Sequence, residues 1–283
     1  MQLWQTSRRQ IRLDHPLVMA ILNVTPDSFS DGGKFTCVDD ALRHAERLIT
    51  EGADIIDVGG ESTRPESSPV SAADESARVV PVLAAITKRF EIPVSIDTAK
   101  SSVAAAAIDA GAEIVNDISA LRWDPELAAA VAKHRAGLVL MHSRGTFATM
   151  HSEPPADDII TEIAASLRRS IALAVSAGVG QAQIVLDPGI GFGKTYDQNL
   201  EILEKLDTIV AEFREYPLLI GTSRKSFIGR MHKIAEPKDR LSGSVATAID
   251  AVKKGAAIVR VHDVRETVAA LQTLGSAGLG GNA

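Results

Sequence analysis

Short apolar runs, each closed by polar residues, recur along the chain, and helix-like stretches separate them. In the clearest cases a helix-like stretch ends in Gly-Ala and a short apolar run follows directly. Glycine just after a helix is the usual left-handed cap, and an apolar run too short for a helix predicts a buried parallel strand. The pattern occurs at residues 51–62, 109–119 and 253–263, and in looser form at residues 134–143 and 182–189.

Further apolar runs bring the predicted strands to eight, and they lie at residues 18–24, 93–97 and 217–221. Amphipathic helical stretches separate the strands, for example at residues 39–50, 102–110 and 199–213. Strands that alternate with helices form right-handed βαβ units, and eight units predict one closed (β/α)8 TIM barrel of class α/β. We predict a single domain over residues 1–283. In it, residues 1–17 form a hairpin that caps the barrel bottom, and residues 275–283 form a disordered tail.

Polar residues stand at the carboxyl end of every predicted strand, which is where active sites form in such barrels. Polar groups that cap buried strands cost free energy unless they are paired or used. Eight such ends therefore predict a site rather than a structural network. The residues are Asn23, Glu61 to Arg64, Asp97, Asn116, Asp117, His142, Asp187, Lys225, Arg260 and His262.

Composition narrows the class of protein. Hydrophobic residues make up 45% of the 283 and aromatic residues 4%, so the core must be built largely from aliphatic side chains. The formal net charge of -6 gives no general attraction to nucleic acid or to anionic membranes. Cys37 is the only cysteine, which excludes an internal disulfide and favours a reducing compartment. With no signal peptide or membrane span in the sequence, we expect a cytoplasmic protein.

One group of the strand-end residues carries hydrogen-bond acceptors. Asp97, Asn116 and Asp187 suit the edge of a flat, nitrogen-rich heterocycle, because a carboxylate accepts parallel N–H bonds from an amino-pyrimidine ring. Asn23 offers a neutral oxygen, a suitable ligand for a Mg²⁺ ion that keeps most of its waters. The bound molecule is therefore expected to be a small heterocycle.

A second group is cationic. Lys225, Arg260 and His262 suit phosphate oxygens or a ring carbonyl. The segment DPGIGFGKT at residues 187–195 fits neither the P-loop nor the dinucleotide-binding spacing. Its glycines either let the backbone pass close to a flat ligand or simply make a turn.

Eight segments resemble the dihydropteroate synthase family, in the family's order and across nearly the whole chain. They are ILNVTPDSFSDGG at 21–33, DVGGESTRP at 57–65, SIDT at 95–98, NDIS at 116–119, LMH at 140–142, LDPGIGFGK at 186–194, SRKSFIG at 223–229 and RVHDV at 260–264. The first, second and seventh are specific in combination. The resemblance implies a TIM barrel, usually a homodimer, that joins 6-hydroxymethyl-7,8-dihydropterin pyrophosphate to 4-aminobenzoate.

The resemblance also implies a role for each matching residue. Asn23 would bind Mg²⁺ and the pyrophosphate, and Arg260 with His262 the leaving pyrophosphate. The residues implied for the pterin and its walls are Asp97, Asn116, Met141, Asp187, Gly191, Phe192 and Lys225. Those implied for two closing loops and for the aminobenzoate are Asp27, Ser28, Phe29, Thr63, Arg64, Pro65 and Ser226. Of all these, the residues assigned to catalysis are Thr63, Arg64, Asp97, Lys225 and Arg260.

One position departs from the family pattern. After STRP the family commonly has Gly, whereas this chain has Glu66. A negative charge there is expected to alter loop closure more than reaction type, since Thr63 and Arg64 are present. Two alternatives stay open at this point: a pterin-binding methyltransferase that acts on a corrinoid, and a non-catalytic family member that binds or regulates.

Overall fold

The computed structural model describes residues 2–24, 34–63, 67–150 and 152–276 of the chain. The main sheet contains β3 (Leu17–Asn23), β4 (Ile55–Gly59), β5 (Val94–Asp97), β6 (Ile114–Asp117), β7 (Gly137–Met141), β8 (Ile184–Asp187), β9 (Leu219–Ile220) and β10 (Ile258–Val261). A separate hairpin contains β1 (Leu3–Gln5) and β2 (Gln10–Arg12). The helices are α1 (Lys34–Thr50), α2 (Ala72–Arg89), α3 (Ser101–Asp109), α4 (Leu127–His134), α5 (Ile159–Ser176), α6 (Tyr196–Glu204), α7 (Leu206–Glu212), α8 (Ser226–His232), α9 (Leu241–Lys253) and α10 (Val264–Ser276).

The strands of the main sheet are parallel and close into a barrel. Neighbours follow the order β3 to β8 on one side, and β10 and then β9 lie on the other side of β3. The ring closes between β8 and β9, where Leu186 forms a parallel bridge with Leu218 and donates its N–H to the carbonyl of Pro217 at 3.0 Å. The predicted (β/α)8 TIM barrel is confirmed, with a strand at each of the eight predicted places.

Alternate residues of each strand pack into two different cores. On β3, Leu17 and Met19 belong to an interior cluster that takes residues from nearly all strands and fills the amino-terminal end of the barrel. Val18 and Ala20 belong to the larger core between sheet and helices. Since side chains alternate along a strand, the next inward positions reach the carboxyl end, which we call the mouth. Apolar side chains therefore fill the barrel interior at its amino-terminal end, whereas polar residues can occupy the inward positions at the mouth.

The hairpin covers the amino-terminal end of the barrel. Trp4 on β1 has no exposed surface and packs in the interior cluster with Leu17 and Ile258. Its indole Nε1 donates to the carbonyl of Gln183 at 2.8 Å, so the polar edge of the ring is satisfied. Polar chemistry therefore belongs to the mouth, at the opposite end.

The structure corrects the predicted elements at two places. The single helix predicted at residues 199–213 is divided at Lys205 (φ −97, ψ 21) into α6 and α7, and both halves bury apolar residues. Helix α10 continues to Ser276, so the first two residues of the predicted tail are helical, and residues 277–283 lie outside the described residues. Among the described residues, no helix combines the length and apolar character that a bilayer span requires.

Candidate active site

Polar residues gather at the mouth because side chains alternate along the strands. Asp57, Asn116, Met141, Asp187 and Arg260 each come two positions after an apolar member of the interior cluster. In the strand register, Asn23 and Asp97 lie on either side of Gly59. The residues that sequence analysis assigned to a heterocycle thus lie on the inner surface of one barrel end.

Arg260 on β10 is held between two carboxylates. Its Nε donates to Oδ2 of Asp57 and its Nη2 to Oδ2 of Asp97, both at 2.6 Å. The side-chain amide of Asn116 donates to the same Oδ2 of Asp57 at 3.1 Å. Asp57 has no exposed surface, and its Oδ1 has no hydrogen-bond partner among the described residues. One buried carboxylate therefore orients both the guanidinium and the amide.

Burial and neighbouring charges shift the protonation of this group. Burial raises the pKa of Asp97 to about 7, although Arg260 opposes the shift. The carboxylates of Asp57, Glu75 and Asp117 raise it as well. Burial lowers the pKa of Arg260, but attraction to Asp57 and Asp97 outweighs it and leaves that pKa above its usual value. Arg260 is a permanent cation, whereas Asp97 changes charge near neutral pH.

Arg260, Asp57 and Asp97 form the first wall of the mouth. Lys225, directly before α8, forms the second wall. Its Nζ donates to the carbonyl of Ile190 and lies 4.4 Å from the centre of the Phe192 ring, a cation–π contact. Burial lowers the pKa of Lys225 to about 8, against the attraction of Asp187. Burial likewise raises the pKa of Asp187, and Lys225 and the N–H of Gly189 oppose that shift.

The two walls share the mouth. The charges of Arg260 and Asp97 both act on the pKa of Lys225, and the charge of Arg260 also acts on the pKa of Asp187. The acidic and basic residues therefore lie within electrostatic range of one another at the same end of the barrel, as the expected chemistry requires.

The glycine-rich segment after β8 is a tight turn. Gly189 has φ +71, and a Cβ there would lie 1.8 Å from the carbonyl oxygen of His142. The ammonium group of Lys194 donates to three backbone carbonyls, those of His142 and Gly189 among them. This lysine thus stabilises the turn. Gly191 (φ +87) lies at the mouth itself, because its Cβ would lie 3.0 Å from Cδ of Lys225.

Two contacts join the segment that carries Lys225 to the segment after β10. The guanidinium of Arg224 donates to both carboxylate oxygens of Asp263, at 3.0 and 2.5 Å. The hydroxyl of Ser223 accepts the backbone N–H of His262 at 3.1 Å and lies 3.1 Å from its ring Nδ1. These contacts fix the segment that carries Lys225 relative to the segment that carries His262.

Other predicted residues are placed differently. Asp117 faces away from the barrel interior, and its carboxylate accepts bonds from Ser119 and Leu121, so it organises the turn after β6. Thr63 is partly buried, and Ser226 is exposed at the start of α8. The predicted residues that lie outside the described residues are Asp27, Ser28, Phe29, Arg64 and Pro65, together with Glu66.

Sequence reasoning did not single out Asp57, although the motif DVGGES contains it. The residue lies in the middle of β4, two positions after Ile55 of the interior cluster. A charged residue at an inward position of an apolar strand was the available signal, because a buried charge needs a partner. Arg260 on β10 gives the same signal, because it is a positively charged residue at an inward position of an apolar strand.

Comparison with known proteins agrees with this geometry. Residues 19–262 match the family model of pterin binding enzymes. The chain is 48% identical over 250 residues to the dihydropteroate synthase of Bacillus subtilis, covering 88% of this chain and 84% of that one. It is 46% identical over 264 residues to the same enzyme of Escherichia coli K12, covering 93% and 92%.

Solved structures give the same result. The structure of Xanthomonas albilineans dihydropteroate synthase with 4-aminobenzoic acid matches with a TM-score of 0.91 at 41% identity, covering 98% of this chain and 99% of that one. The Yersinia pestis dihydropteroate synthase with a sulfonamide drug complex matches with a TM-score of 0.91 at 42% identity, covering 98% and 100%. The similarity thus covers the barrel, the hairpin and the mouth together.

Proposed function

The chain belongs to the pterin-binding enzymes and, among them, to the dihydropteroate synthases, and on this premise we propose how its mouth divides the family's reaction among its residues. That reaction joins 6-hydroxymethyl-7,8-dihydropterin pyrophosphate to 4-aminobenzoate and yields 7,8-dihydropteroate and pyrophosphate. The chain is a transferase of folate biosynthesis. One observation supports this division of roles: the mouth has two walls. Arg260 lies between Asp57 and Asp97 on the first wall, and Lys225 lies beside Asp187 on the second.

We assign the edge of the pterin to three side chains. Oδ2 of Asp97 already accepts from Arg260, so its other oxygen takes an N–H of the amino-pyrimidine ring. The amide nitrogen of Asn116 donates to the protein, so its carbonyl oxygen serves as a further acceptor. Asp187 takes the remaining N–H groups as a carboxylate.

We assign the face and the carbonyl of the pterin to the second wall. The ammonium group of Lys225 donates to the ring, and the side chains of Met141 and Phe192 pack against its flat surface. Gly191 leaves room there, since its missing side chain would contact Lys225. Lys225 thus anchors the ring, while Asp97, Asn116 and Asp187 bind its edge.

Arg260 and His262 would bind the leaving pyrophosphate. Nε and Nη2 of Arg260 each donate to a carboxylate, which leaves Nη1 for phosphate oxygens. The Ser223 hydroxyl accepts the backbone N–H of His262. The hydroxyl proton of Ser223 can then point to Nδ1 of His262. In that case Nε2 is the protonated ring nitrogen and donates to the pyrophosphate.

The same pyrophosphate would carry a magnesium ion. Asn23, partly buried at the end of β3, supplies a neutral oxygen of the type that Mg²⁺ accepts beside waters and phosphate oxygens. Within residues 2–24, 34–63, 67–150 and 152–276, no three His, Cys, Asp or Glu side chains form a metal cluster. A single neutral oxygen from Asn23 fits an ion whose other ligands are substrate oxygens and water. Bound there, Mg²⁺ would offset charge on the leaving group.

In the transfer, the C–O bond between the exocyclic methylene and the pyrophosphate breaks, and a C–N bond to the aryl amine forms. Because the pterin ring shares positive charge with the methylene, departure of the leaving group runs ahead of attack. Asp97 and Asp187 stabilise that positive charge, and the cations stabilise the anion. The amine attacks as a neutral nucleophile and loses its proton after the bond has formed, so no strong general base is required.

We assign the two segments after β3 and β4 to closure over both bound substrates, which would exclude water. The residues assigned there are Asp27, Ser28 and Phe29 on the first segment, Thr63, Arg64 and Pro65 on the second, and Ser226 at the aminobenzoate carboxylate. Of these, Thr63 would bind the pterin pyrophosphate. The assembly we propose is a homodimer in the cytoplasm. Sedimentation equilibrium tests the assembly, and a monomer at micromolar concentration would contradict it.

Pyrophosphate release, measured with and without 4-aminobenzoate, tests the function. We expect release that depends on the amine and equals the dihydropteroate formed. Either of the alternatives would give a different result. A methyltransferase would release no pyrophosphate and would methylate a corrinoid, and a non-catalytic family member would bind the pterin without turnover.

A further inference from the structure

A triad of ionic side chains with one fully buried member, Glu75, lies beside the mouth, between β5 and α2. Lys100, directly before α3, places its Nζ 2.8 Å from Oε2 of Glu61 and 2.5 Å from Oε2 of Glu75. Glu75 has no exposed surface, and its Oε1 has no hydrogen-bond partner among the described residues. A carboxylate buried this fully depends on its cation, because removing one partner of a buried pair leaves an uncompensated charge.

Glu61 connects this triad to the segment between β4 and α2. Its Oε1 accepts the backbone N–H of Val70 at 2.6 Å, while its Oε2 accepts from Lys100. Glu61 thereby ties the two ends of this segment together and fastens them to Lys100. Thr63, which we assign to the substrate, lies two residues beyond Glu61.

Other charged groups lie next to the triad. Arg78 on α2 donates to the carbonyl of Gly60, beside Glu61, and Asp124 before α4 accepts the N–H of Ser101, beside Lys100. The charge of Glu75 also acts on Asp97 at the end of β5, whose pKa it raises. Burial lowers the pKa of Lys100, but the hydrogen bonds that it donates to Glu61 and Glu75 outweigh this effect and raise that pKa above the usual lysine value. Lys100 is therefore charged, and it is the cation that both glutamates contact.

We propose that Lys100 is a positioning residue for the transfer reaction: it allows Glu61 and Glu75 to lie side by side and so holds the backbone that leads to Thr63 at the mouth. This inference rests on the role proposed for Thr63 in binding the pterin pyrophosphate. Without the cation, repulsion between the two carboxylates displaces Glu61. The KM for the pterin substrate then rises, while the groups that stabilise the departing pyrophosphate stay in place.

Removal of the charge tests this proposal. In Lys100→Met we expect the KM for pterin pyrophosphate to rise at least about tenfold at about pH 8, with kcat within about threefold of the unsubstituted protein. Lys100→Arg keeps the charge and is expected to keep the KM, as is Lys88→Met, the control on the exposed face of α2.

A second substitution separates charge from packing. Lys100→Met/Glu75→Gln has no repulsion to relieve, so its KM is expected within about threefold of that of Glu75→Gln alone. A double variant whose KM is no better than that of Lys100→Met overturns the proposal. Should Lys100→Met not fold, Lys100→Gln keeps hydrogen-bond donors without the charge and carries the same expectation.

A readout without substrate keeps this proposal separate from the proposed function. Because the Val70 amide donates to Glu61, its hydrogen exchange reports whether Glu61 has moved. We expect exchange at least about tenfold faster in Lys100→Met at about pH 8, and restored in the double variant. Unchanged exchange overturns the proposal. Faster exchange with an unchanged KM also overturns it, and locates the failure in the role assigned to Thr63.

Discussion

Two nitrogens of Arg260 donate to carboxylates of the protein itself, so this cation is oriented before any substrate binds. A guanidinium that is already in place needs no reorganisation when negative charge develops on a leaving group. Asp57 provides that orientation from a fully buried position, and it also holds the amide of Asn116. This explains a charged residue in the middle of an apolar strand.

Loss of either charge in the second wall should weaken binding of the pterin substrate. We expect Lys225→Ala or Asp187→Ala to lower the affinity for pterin pyrophosphate by more than tenfold, which is about 1.4 kcal/mol or above. Each variant loses a direct contact and removes the opposite charge that acts most strongly on its buried partner. Isothermal titration with the intact substrate measures this, and Lys88→Ala on the surface is the control. Unchanged affinity in both variants would refute these assignments.

The protonation of Asp97 and Lys225 predicts a bell-shaped pH dependence of kcat/KM for the pterin substrate. Asp97 is a much stronger acceptor of an N–H when it is ionised, and its pKa is raised to about 7, so kcat/KM falls as the pH drops through that value. Lys225 donates only when protonated, and its pKa is lowered to about 8, so kcat/KM falls as the pH rises through that value. A profile that stays flat over this range would contradict the roles of both residues.

At the scale of elements, the turn after β8 shows how a loop can depend on one residue. Gly189→Ala would force a Cβ to within 1.8 Å of the His142 carbonyl oxygen at φ +71, so the turn must shift. We expect a loss of about 3 kcal/mol or more in the free energy of unfolding, measured with urea. Gly275→Ala in α10 is the matched control, because nothing lies within 4 Å of the added Cβ. Equal stability of the two variants would show that the turn adapts freely.

Alternation along the strands decides which strand-end residues could be assigned from sequence. Asn116 and Asp117 are neighbours, yet only Asn116 is in phase with Ile114 of the interior cluster. Asp117 faces away and accepts bonds from the turn that follows it. A strand's phase, read from its apolar residues, therefore separates ligand-facing from structural positions. The pairing of Arg260 with Asp57 could not be predicted, because it depends on how the closed barrel brings β10 and β4 together.

On the scale of the whole molecule, the barrel divides its two ends between stability and chemistry. Trp4 fills the amino-terminal end and contacts none of the residues assigned to the reaction. We expect Trp4→Ala to lower the free energy of unfolding by about 3 to 5 kcal/mol, with kcat unchanged at temperatures where the variant is folded. Leu3→Ala on the same strand, where Leu3 is 40% exposed, is the control. A loss of kcat with little loss of stability would contradict this division.

The fold could be predicted because each barrel strand is a short apolar run between helices, and parallel strands buried on both faces need that composition. The break at Lys205 could not, because residues 199–213 keep one amphipathic pattern throughout. The contacts of Lys100 with Glu61 and Glu75 were equally hidden, since in the sequence Lys100 and Glu75 look like solvated charges and Glu61 looks like a residue of the site. Contacts between distant segments set their roles, and such contacts appear only once the barrel has closed.

The most direct test of the account is a crystal structure of the protein with pterin pyrophosphate bound. The account predicts the ring edge within hydrogen-bond distance of Asp97, Asn116 and Asp187, and the pyrophosphate against Arg260 and His262. A pterin bound outside the mouth, or one bound there with its pyrophosphate directed away from Arg260, would contradict it.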